Sequence, residues 1–531
     1  MPGSSPPAPA AAMSPAEGAF DRGRRIVGAL LTPLAFAAVY ALTAGALSPQ
    51  GRALAAILAA VVVLWVTEAL PLAVTSLAGA VLCVTLGVAP ARQVLAHFAD
   101  PIVFLFIGSF VLARAMSVHD LDRRIALSFL SVPWVSAHPA RLLGGLGLVT
   151  AILSMWVSNT ATTAMMLPIA LGILGALHQV RVAQGLAAGP LRARGWPLAT
   201  GMMLMIAYAA SIGGIGTPVG SPPNLIGIGL IRNSTGVDLG FFTWMALALP
   251  MLLVMAAALF LLLYRLHPAQ PETIRAAFAG GSGGGRGRAG MSAYIAQEKA
   301  RLGPWTRGQV NTLAAFSVAV ILWTLPGVLA ALGLEESALG AWLRVRMPET
   351  VVALVAAILL FILPVRVKQG EFTLTWSEAV KIDWGTILLF GGGLAMGTLM
   401  FETGVASAIG EGLTGRLGTS SLWGLTGASI AIAIVLSETT SNTASANMVI
   451  PVAIAIAQAA GVNPVPPALG ACFGASFGFM LPVSTPPNAI AYGSGLVPIP
   501  KMMRAGIVFD VIGLVIIWAG LRVLCPLLGL V

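Results

Sequence analysis

Residues 153–170 read LSMWVSNTATTAMMLPIA, and the chain repeats this stretch 283 residues later as LSETTSNTASANMVIPVA at positions 436–453. Nine of the eighteen positions are identical, among them the triplet Ser-Asn-Thr at 158–160 and 441–443. Three consecutive polar residues are costly in a membrane, because lipid offers no partner for hydroxyls, amides or unwound backbone. The two triplets are therefore predicted to face a cavity, a ligand or packed protein.

The composition is that of a membrane protein. Hydrophobic residues make up 57% of the 531 residues and charged residues only 9%, with a mean hydropathy of +0.92. Soluble domains carry about 25% charged residues, so the chain is predicted to be an all-α polytopic membrane protein. The net charge of +10 does not indicate a nucleic-acid partner, because the basic residues lie in short loops between apolar segments.

The order of apolar segments divides the chain into two halves. We predict a disordered cytoplasmic tail at 1–25, a first half at 26–265 and a second half at 309–531, with about eleven transmembrane helices in total. The stretch 266–308 is hydrophilic and contains GGSGGGRGR at 280–288. It follows no strand and lacks a Walker lysine, so it is predicted to be a flexible cytoplasmic linker rather than a nucleotide-binding loop.

Each half contains one predicted hairpin and one predicted broken helix. The hairpins, at 142–177 and 421–459, are predicted to be re-entrant, with a Ser-Asn-Thr triplet at each tip. The broken helices, at 198–231 and 466–497, are interrupted by PVGSPPN and PVSTPPN, because proline and glycine cannot continue a helix there.

The distribution of basic residues predicts the orientation. With the N-terminus in the cytoplasm, most of the 29 Lys and Arg residues fall on the cytoplasmic side. Five spans in each repeat then make the two halves inverted relative to each other. Inverted repeats with broken helices are typical of secondary transporters.

The motifs supply neutral oxygens and helix N-termini. Hydroxyl, amide and carbonyl oxygens suit Na⁺, whereas helix N-termini with hydroxyl and amide donors suit a carboxylate or another oxyanion. Neither motif contains Arg or Lys. The charge of an anionic substrate is therefore predicted to be balanced by bound cations rather than by a fixed basic residue.

Some charged residues lie within predicted spans, and three of them bear on the site. Glu438 is close to the second tip and has three interpretations: a third cation ligand, a proton carrier, or a hydrogen-bond anchor for the tip. We favour the anchor, and more strongly so for Glu68, which lies beside Pro71. Arg114 is expected to extend towards the membrane surface rather than to bind substrate.

The paired Ser-Asn-Thr motifs, the paired Pro-Pro-Asn motifs and WVTEALPLAVTSL at 65–77 resemble the divalent anion:sodium symporter family over about residues 26–528. The resemblance implies a homodimer in the cell (inner or plasma) membrane and a transport domain that moves as an elevator. It also implies a transporter rather than an enzyme, with Na⁺ and a small dicarboxylate as its partners.

Position-by-position transfer of the family's sites implies two sodium ions and one substrate. The first sodium site would use Ser154, Ser158, Asn159 and the Gly220 carbonyl. The second would use Ser437, Asn442 and backbone oxygens of Thr440 and Ser484. The substrate would contact Ser158, Asn159, Thr160, Ser221, Ser441, Asn442, Thr443 and Thr485.

The resemblance also bears on the substrate. Both triplets end in threonine (Thr160 and Thr443), as in the dicarboxylate branch, which favours succinate, malate or fumarate. Family members often carry threonine at the position of Ser437, so the hydroxyl is retained. Two alternatives remain: sodium-independent dicarboxylate exchange, and sodium-coupled transport of citrate or sulfate.

Overall fold

The computed structural model describes residues 15–136, 138–183, 196–269, 286–414 and 420–531. These residues form an almost wholly helical protein. Two short antiparallel strands, Pro364–Arg366 and Glu371–Phe372, pair with Pro364 opposite Phe372. The helices are Pro15–Leu42, Pro49–Thr67, Leu72–Thr85, Ala91–Ala96, Pro101–Val118, Leu121–Leu130, Pro133–Ser136, Pro139–Ser154, Asn159–Ala183, Pro197–Gly213, Pro222–Thr235, Phe241–Leu266, Arg286–Arg301, Arg307–Ala331, Ala338–Arg346, Glu349–Ile362, Trp376–Ala379, Trp384–Glu402, Val405–Thr414, Leu422–Thr439, Asn442–Ala459, Val465–Gly474, Pro486–Gly493 and Ile499–Leu527.

Within the described ranges, ten helices are long and apolar enough to cross a membrane. An eleventh span results if Ala338–Arg346 and Glu349–Ile362, which are bent by 76° relative to each other, count as one. The prediction of an all-α polytopic membrane protein with about eleven spans is thus confirmed.

The two halves interleave at the centre of the molecule. The first hairpin (Pro139–Ser154 and Asn159–Ala183) packs on the N-terminal arm of the first broken helix, Pro197–Gly213, in which residues 198–213 are all buried. The second hairpin (Leu422–Thr439 and Asn442–Ala459) packs in the same way on Val465–Gly474. Each broken helix also contacts the hairpin of the other half, so that both tips reach the same region.

Outer helices of each half also pack against helices of the other half, in an equivalent way. Pro101–Val118 packs on Glu349–Ile362 of the second half, and Trp384–Glu402 packs on Leu72–Thr85 of the first half. Small residues allow the close approach, because a Cβ atom on Gly108 would lie 2.7 Å from the Ala353 backbone. The halves therefore form one body rather than two separate domains.

The first helix begins earlier than predicted. It starts at Pro15, within the segment predicted to be a disordered tail, and residues 1–14 of that tail lie outside the described residues. Arg24 Nη2 lies 2.9 Å from both Asp21 Oδ1 and Glu68 Oε2. The pair with Asp21 lies within the helix, whereas the pair with Glu68 attaches the helix to the next span.

Part of the predicted flexible linker is also helical. Arg286–Arg301 packs on Asn159–Ala183 and on Leu121–Leu130. Ile295 is buried, and Glu298 forms ion pairs with Arg123 and Arg301. The glycines at 280–285 lie outside the described residues, so the prediction of a flexible linker fails only for the segment after them.

The second arm of the first hairpin is longer than predicted. Asn159–Ala183 spans 25 residues and continues through Pro168 to a last turn containing Arg181. The Arg181 guanidinium lies 5.0 Å from the centre of the Trp196 ring, a contact that favours continued helix beyond residue 177.

Candidate functional site

A serine caps the helix that follows each hairpin tip. Ser158 Oγ accepts a hydrogen bond from the backbone N of Ala161 at 3.3 Å, and Ser441 Oγ accepts one from Ala444 N at 3.1 Å. Serine is a preferred N-cap because its hydroxyl satisfies a backbone N–H that has no partner within the helix. The first residue of each triplet therefore ends the turn, and the second begins the new helix.

Both tips and both broken helices line one cavity of about 830 Å³. The predicted site residues that line it are Ser158, Asn159, Thr160, Gly220, Ser221, Ser441, Asn442, Thr443, Ser484 and Thr485. The other three predicted residues, Ser154, Ser437 and Thr440, are buried and do not line it. Predicted residues up to 327 positions apart in sequence, Ser158 and Thr485, thus meet around one space of a size typical for small-molecule sites.

The two buried serines contact the asparagines of the tips. Ser154 Oγ donates a hydrogen bond to Asn159 Oδ1 at 2.7 Å, and Ser437 Oγ donates one to Asn442 Oδ1 at 2.7 Å. Ser437 Oγ also lies 2.8 Å from the Ala475 carbonyl. The repeated sequence thus produces a repeated pair of neutral oxygens behind each tip.

An asparagine satisfies the carbonyls exposed by each helix break. Asn224 Nδ2 donates to the carbonyls of Gly214 (2.8 Å) and Thr217 (2.7 Å). Asn488 Nδ2 donates to Gly478 (2.9 Å) and Leu481 (3.0 Å). A broken helix leaves carbonyls without intrahelical partners, so the Pro-Pro-Asn motif stabilises the break that it creates.

Four helices begin at the cavity, at Asn159, Pro222, Asn442 and Pro486. A helix N-terminus carries partial positive charge and unpaired N–H groups, both of which attract anions. The Ser221 hydroxyl makes no side-chain cap hydrogen bond, whereas Thr485 Oγ1 accepts one from Asn488 N at 3.4 Å. The cavity thus offers anion-binding groups from both halves.

Backbone carbonyls converge around Gly220. A Cβ atom at this position would lie 2.6 Å from the Gly214 oxygen, 2.7 Å from the Met155 oxygen and 3.0 Å from the Ser154 oxygen. Any side chain here would collide with these atoms, so only glycine allows the approach. Neutral oxygens in such a cluster suit a hard monovalent cation.

Glu438 connects the second hairpin to the second helix break. Its Oε1 accepts hydrogen bonds from the backbone N of Phe479 (2.5 Å) and Met480 (2.9 Å), and its Oε2 accepts one from Ser484 Oγ (2.7 Å). These three bonds are those of an anchor for the tip. The carboxylate is buried and does not line the cavity.

Two basic residues that the motifs do not contain also line the cavity: Arg114 and Lys381. Arg114 forms an ion pair with Glu378, to which Lys381 Nζ also donates at 2.5 Å. The expectation that Arg114 extends towards the membrane surface stays a prediction. The absence of Arg and Lys from the motifs thus does not extend to the whole cavity, and the balance of the substrate charge by bound cations stays a prediction. Both residues are far from the triplets in sequence, and only tertiary packing brings them there.

The chain is similar to known proteins over most of its length. Residues 25–530 match the family described as sodium:sulfate symporter transmembrane region. An uncharacterized transporter of Haemophilus influenzae is 33% identical over 481 residues, which cover 88% of this chain and 91% of that protein. The sodium-dependent dicarboxylate transporter SdcS is 31% identical in Staphylococcus saprophyticus (93% of this chain, 90% of that protein) and in Staphylococcus aureus strain USA300 (85% and 82%).

These matches cover both hairpins, both broken helices and the outer spans. They identify the protein as a transporter rather than an enzyme. The chain belongs to the sodium:sulfate symporter family, the divalent anion:sodium symporters that its repeated motifs resemble.

Proposed function

We propose that this protein is a sodium-coupled symporter of C4-dicarboxylates such as succinate, malate and fumarate. The proposal rests on one observation: four helix N-termini meet at one cavity, and a Ser–Asn oxygen pair lies beside each hairpin tip there. Relatives named sodium-dependent dicarboxylate transporters support the substrate class. Two cations held beside the tips would offset the two charges of a dicarboxylate.

The proposed sodium sites keep the residues that the sequence predicts. The first combines Ser154, Ser158 and Asn159 with the carbonyl of Gly220, where three further backbone oxygens converge. The second combines Ser437, Asn442 and backbone oxygens of Thr440 and Ser484. The substrate would contact the triplets together with Ser221 and Thr485, which lie at the starts of the helices after the breaks.

The proposed mechanism is that of an elevator. The hairpins and broken helices would move as one unit relative to the outer spans, with the hairpins re-entrant and the halves inverted. We place the protein as a homodimer in the cell membrane with its N-terminus in the cytoplasm. The distribution of Lys and Arg residues between the spans supports this orientation.

Uptake into proteoliposomes tests the function. Purified protein is given labelled succinate, citrate or sulfate, each with and without an inward sodium gradient. Symport predicts succinate uptake that requires sodium and that excess malate or fumarate inhibits. Sodium-independent uptake that requires dicarboxylate inside the vesicle would show exchange instead, and sulfate uptake that succinate does not inhibit would refute the substrate class.

A further inference from the structure

Arg114 and Lys381 line the cavity and share the carboxylate of Glu378, which lies behind them and does not line it. Arg114 Nη2 and Lys381 Nζ contact opposite oxygens of Glu378, the second at 2.5 Å. Hydrogen bonds from Lys381 and Arg114 lower the pKa of Glu378, so the carboxylate is charged at neutral pH. The three side chains together carry one excess positive charge.

The nearby Asp383 does not cancel that excess through direct contact. Its Oδ1 accepts a hydrogen bond from Thr386 N at 3.0 Å and its Oδ2 accepts one from Thr386 Oγ1 at 2.6 Å, which caps the helix Trp384–Glu402. Arg114 and Lys381 are the positively charged side chains that line the cavity, and neither is bound by the Asp383 carboxylate within the described residues.

The guanidinium of Arg114 retains unused donors. Arginine has five N–H donors, and the bonds found in the described part of the chain involve only Nη2. Its Nε is buried and has no hydrogen-bond partner there. Arg114 lines the cavity and its side chain is 32% exposed, so a molecule in the cavity can reach the guanidinium.

We infer that Arg114 and Lys381 form a carboxylate-binding element of the cavity, and that Glu378 occupies this element as a tethered competitor until a substrate carboxylate displaces it. The inference rests on the proposed transport of small anions and adds residues that set the affinity for them. Arginine suits the role because its planar fork binds a carboxylate through two parallel hydrogen bonds.

A purely structural ion pair makes a different prediction from this competition. If the pair only fastens Pro101–Val118 to the segment before Trp384, loss of either partner weakens the same contact. Glu378→Gln and Arg114→Gln would then change stability and transport in the same direction. Competition instead predicts opposite effects on substrate affinity, because one change removes the competitor and the other removes the binding group.

The test measures KM and kcat for succinate in proteoliposomes at saturating sodium, together with succinate-induced thermal stabilisation in detergent. We expect Glu378→Gln to lower KM and Arg114→Gln to raise it, each by roughly threefold to tenfold. Arg114→Lys should restore part of the affinity, and the sodium concentration for half-maximal uptake should not change. Changes of KM in the same direction, or no change in either variant, would overturn the inference.

The KM comparison and the uptake assay for the proposed function can fail independently of each other. The two variants are compared on whichever of succinate, citrate or sulfate the wild-type protein binds. Uptake that does not depend on sodium would refute symport, yet opposite shifts of KM would still support the binding element. Sodium-coupled succinate uptake with unchanged KM in both variants would refute the binding element alone.

Discussion

Ser437 Oγ lies 2.7 Å from Asn442 Oδ1, and the equivalent atoms of Ser154 and Asn159 are separated by the same distance. Each pair joins the last turn of one hairpin arm to the first residue of the other. A sodium ion coordinated by both oxygens would take the place of this hydrogen bond. The two halves of the protein thus contain the same Ser–Asn pair, formed within six consecutive positions of a repeated sequence.

Ser154→Ala and Ser437→Ala should each weaken the response to sodium. Because a ligand stabilises only the state that binds it, a variant with tenfold weaker affinity loses up to about 1.4 kcal/mol of sodium-dependent stabilisation. The measurement is the melting temperature against sodium concentration, with choline replacing sodium. Stability in sodium-free buffer should remain close to that of the wild type.

Ser445→Ala is the matched control for these two variants. Ser445 is buried in the second hairpin, and its Oγ donates to the Ala433 carbonyl at 3.0 Å. Its loss should lower stability equally at every sodium concentration. Sodium curves of Ser154→Ala and Ser437→Ala that superimpose on the wild-type curve would contradict the two cation sites.

Asn159→Asp and Asn442→Asp should reduce succinate transport sharply while the protein still folds. Each change keeps the shape of the side chain but places a negative charge beside the substrate. Repulsion between charges a few Å apart is worth ~1 kcal/mol or more even with strong screening.

Asn233→Asp adds the same charge at an exposed position of Pro222–Thr235 and should leave initial uptake rates unchanged. Wild-type uptake by both tip variants would show that the asparagines do not contact substrate.

The repeated motifs predicted which residues line the cavity, because two copies of one sequence form two copies of one local structure. The capping serines, the helix breaks and the asparagines that satisfy them all follow from spacing within a few turns. Arg114 and Lys381 could not be predicted in this way. Their position depends on how Pro101–Val118 packs against the segment before Trp384, and neither residue belongs to a motif.

One of the contacts that differ between the halves indicates the role of Glu438. Where the second half has Glu438 and Ser484, the first half has Met155 and Gly220 in the corresponding positions of the repeats. Met155 contributes only its backbone carbonyl near Gly220, whereas Glu438 binds the Ser484 hydroxyl and two backbone N–H groups. The sequence alone left an anchor, a cation ligand and a proton carrier open, since it does not show these partners.

Glu438→Ala should lower the free energy of unfolding by about 2–4 kcal/mol, because it leaves two buried N–H groups without an acceptor. Glu438→Gln keeps one acceptor oxygen and should recover part of the loss. Melting temperatures with and without sodium separate the interpretations. An anchor predicts the same loss in both buffers, whereas a loss confined to sodium buffer would identify Glu438 as a cation ligand.

Asp510→Asn should stabilise the protein by about 1 kcal/mol. Asp510 is 6% exposed, and neither of its carboxylate oxygens has a hydrogen-bond partner within the described ranges. It faces the Glu438 carboxylate, and Gly506 lies one turn before it against the backbone of Phe479. An asparagine amide can donate to Glu438 at any pH, whereas the Asp510 carboxyl can donate only while it holds a proton, and two ionised carboxylates here would repel each other. A lower melting temperature for Asp510→Asn than for the wild type would contradict this account.

His267→Gln should make the protein less sensitive to acid. His267 follows Phe241–Leu266, is 4% exposed, and has no hydrogen-bond partner for either ring nitrogen in the part of the chain that the structure describes. Burial, with smaller contributions from Lys501 and Arg504, lowers the pKa of its imidazole to about 4. Between pH ~6.5 and ~4 the unfolded chain therefore binds a proton that the folded protein does not, and the wild type loses up to about 1.4 kcal/mol of stability per pH unit from this group.

Melting temperatures from pH 7 to pH 4.5 should fall less steeply for His267→Gln than for the wild type. His97→Gln, at a partly exposed ring, serves as the control, and the carboxylates that titrate in the same range are common to all three proteins. Parallel pH curves for the wild type and His267→Gln would show that the folded protein accepts a proton on this ring as readily as the unfolded chain does.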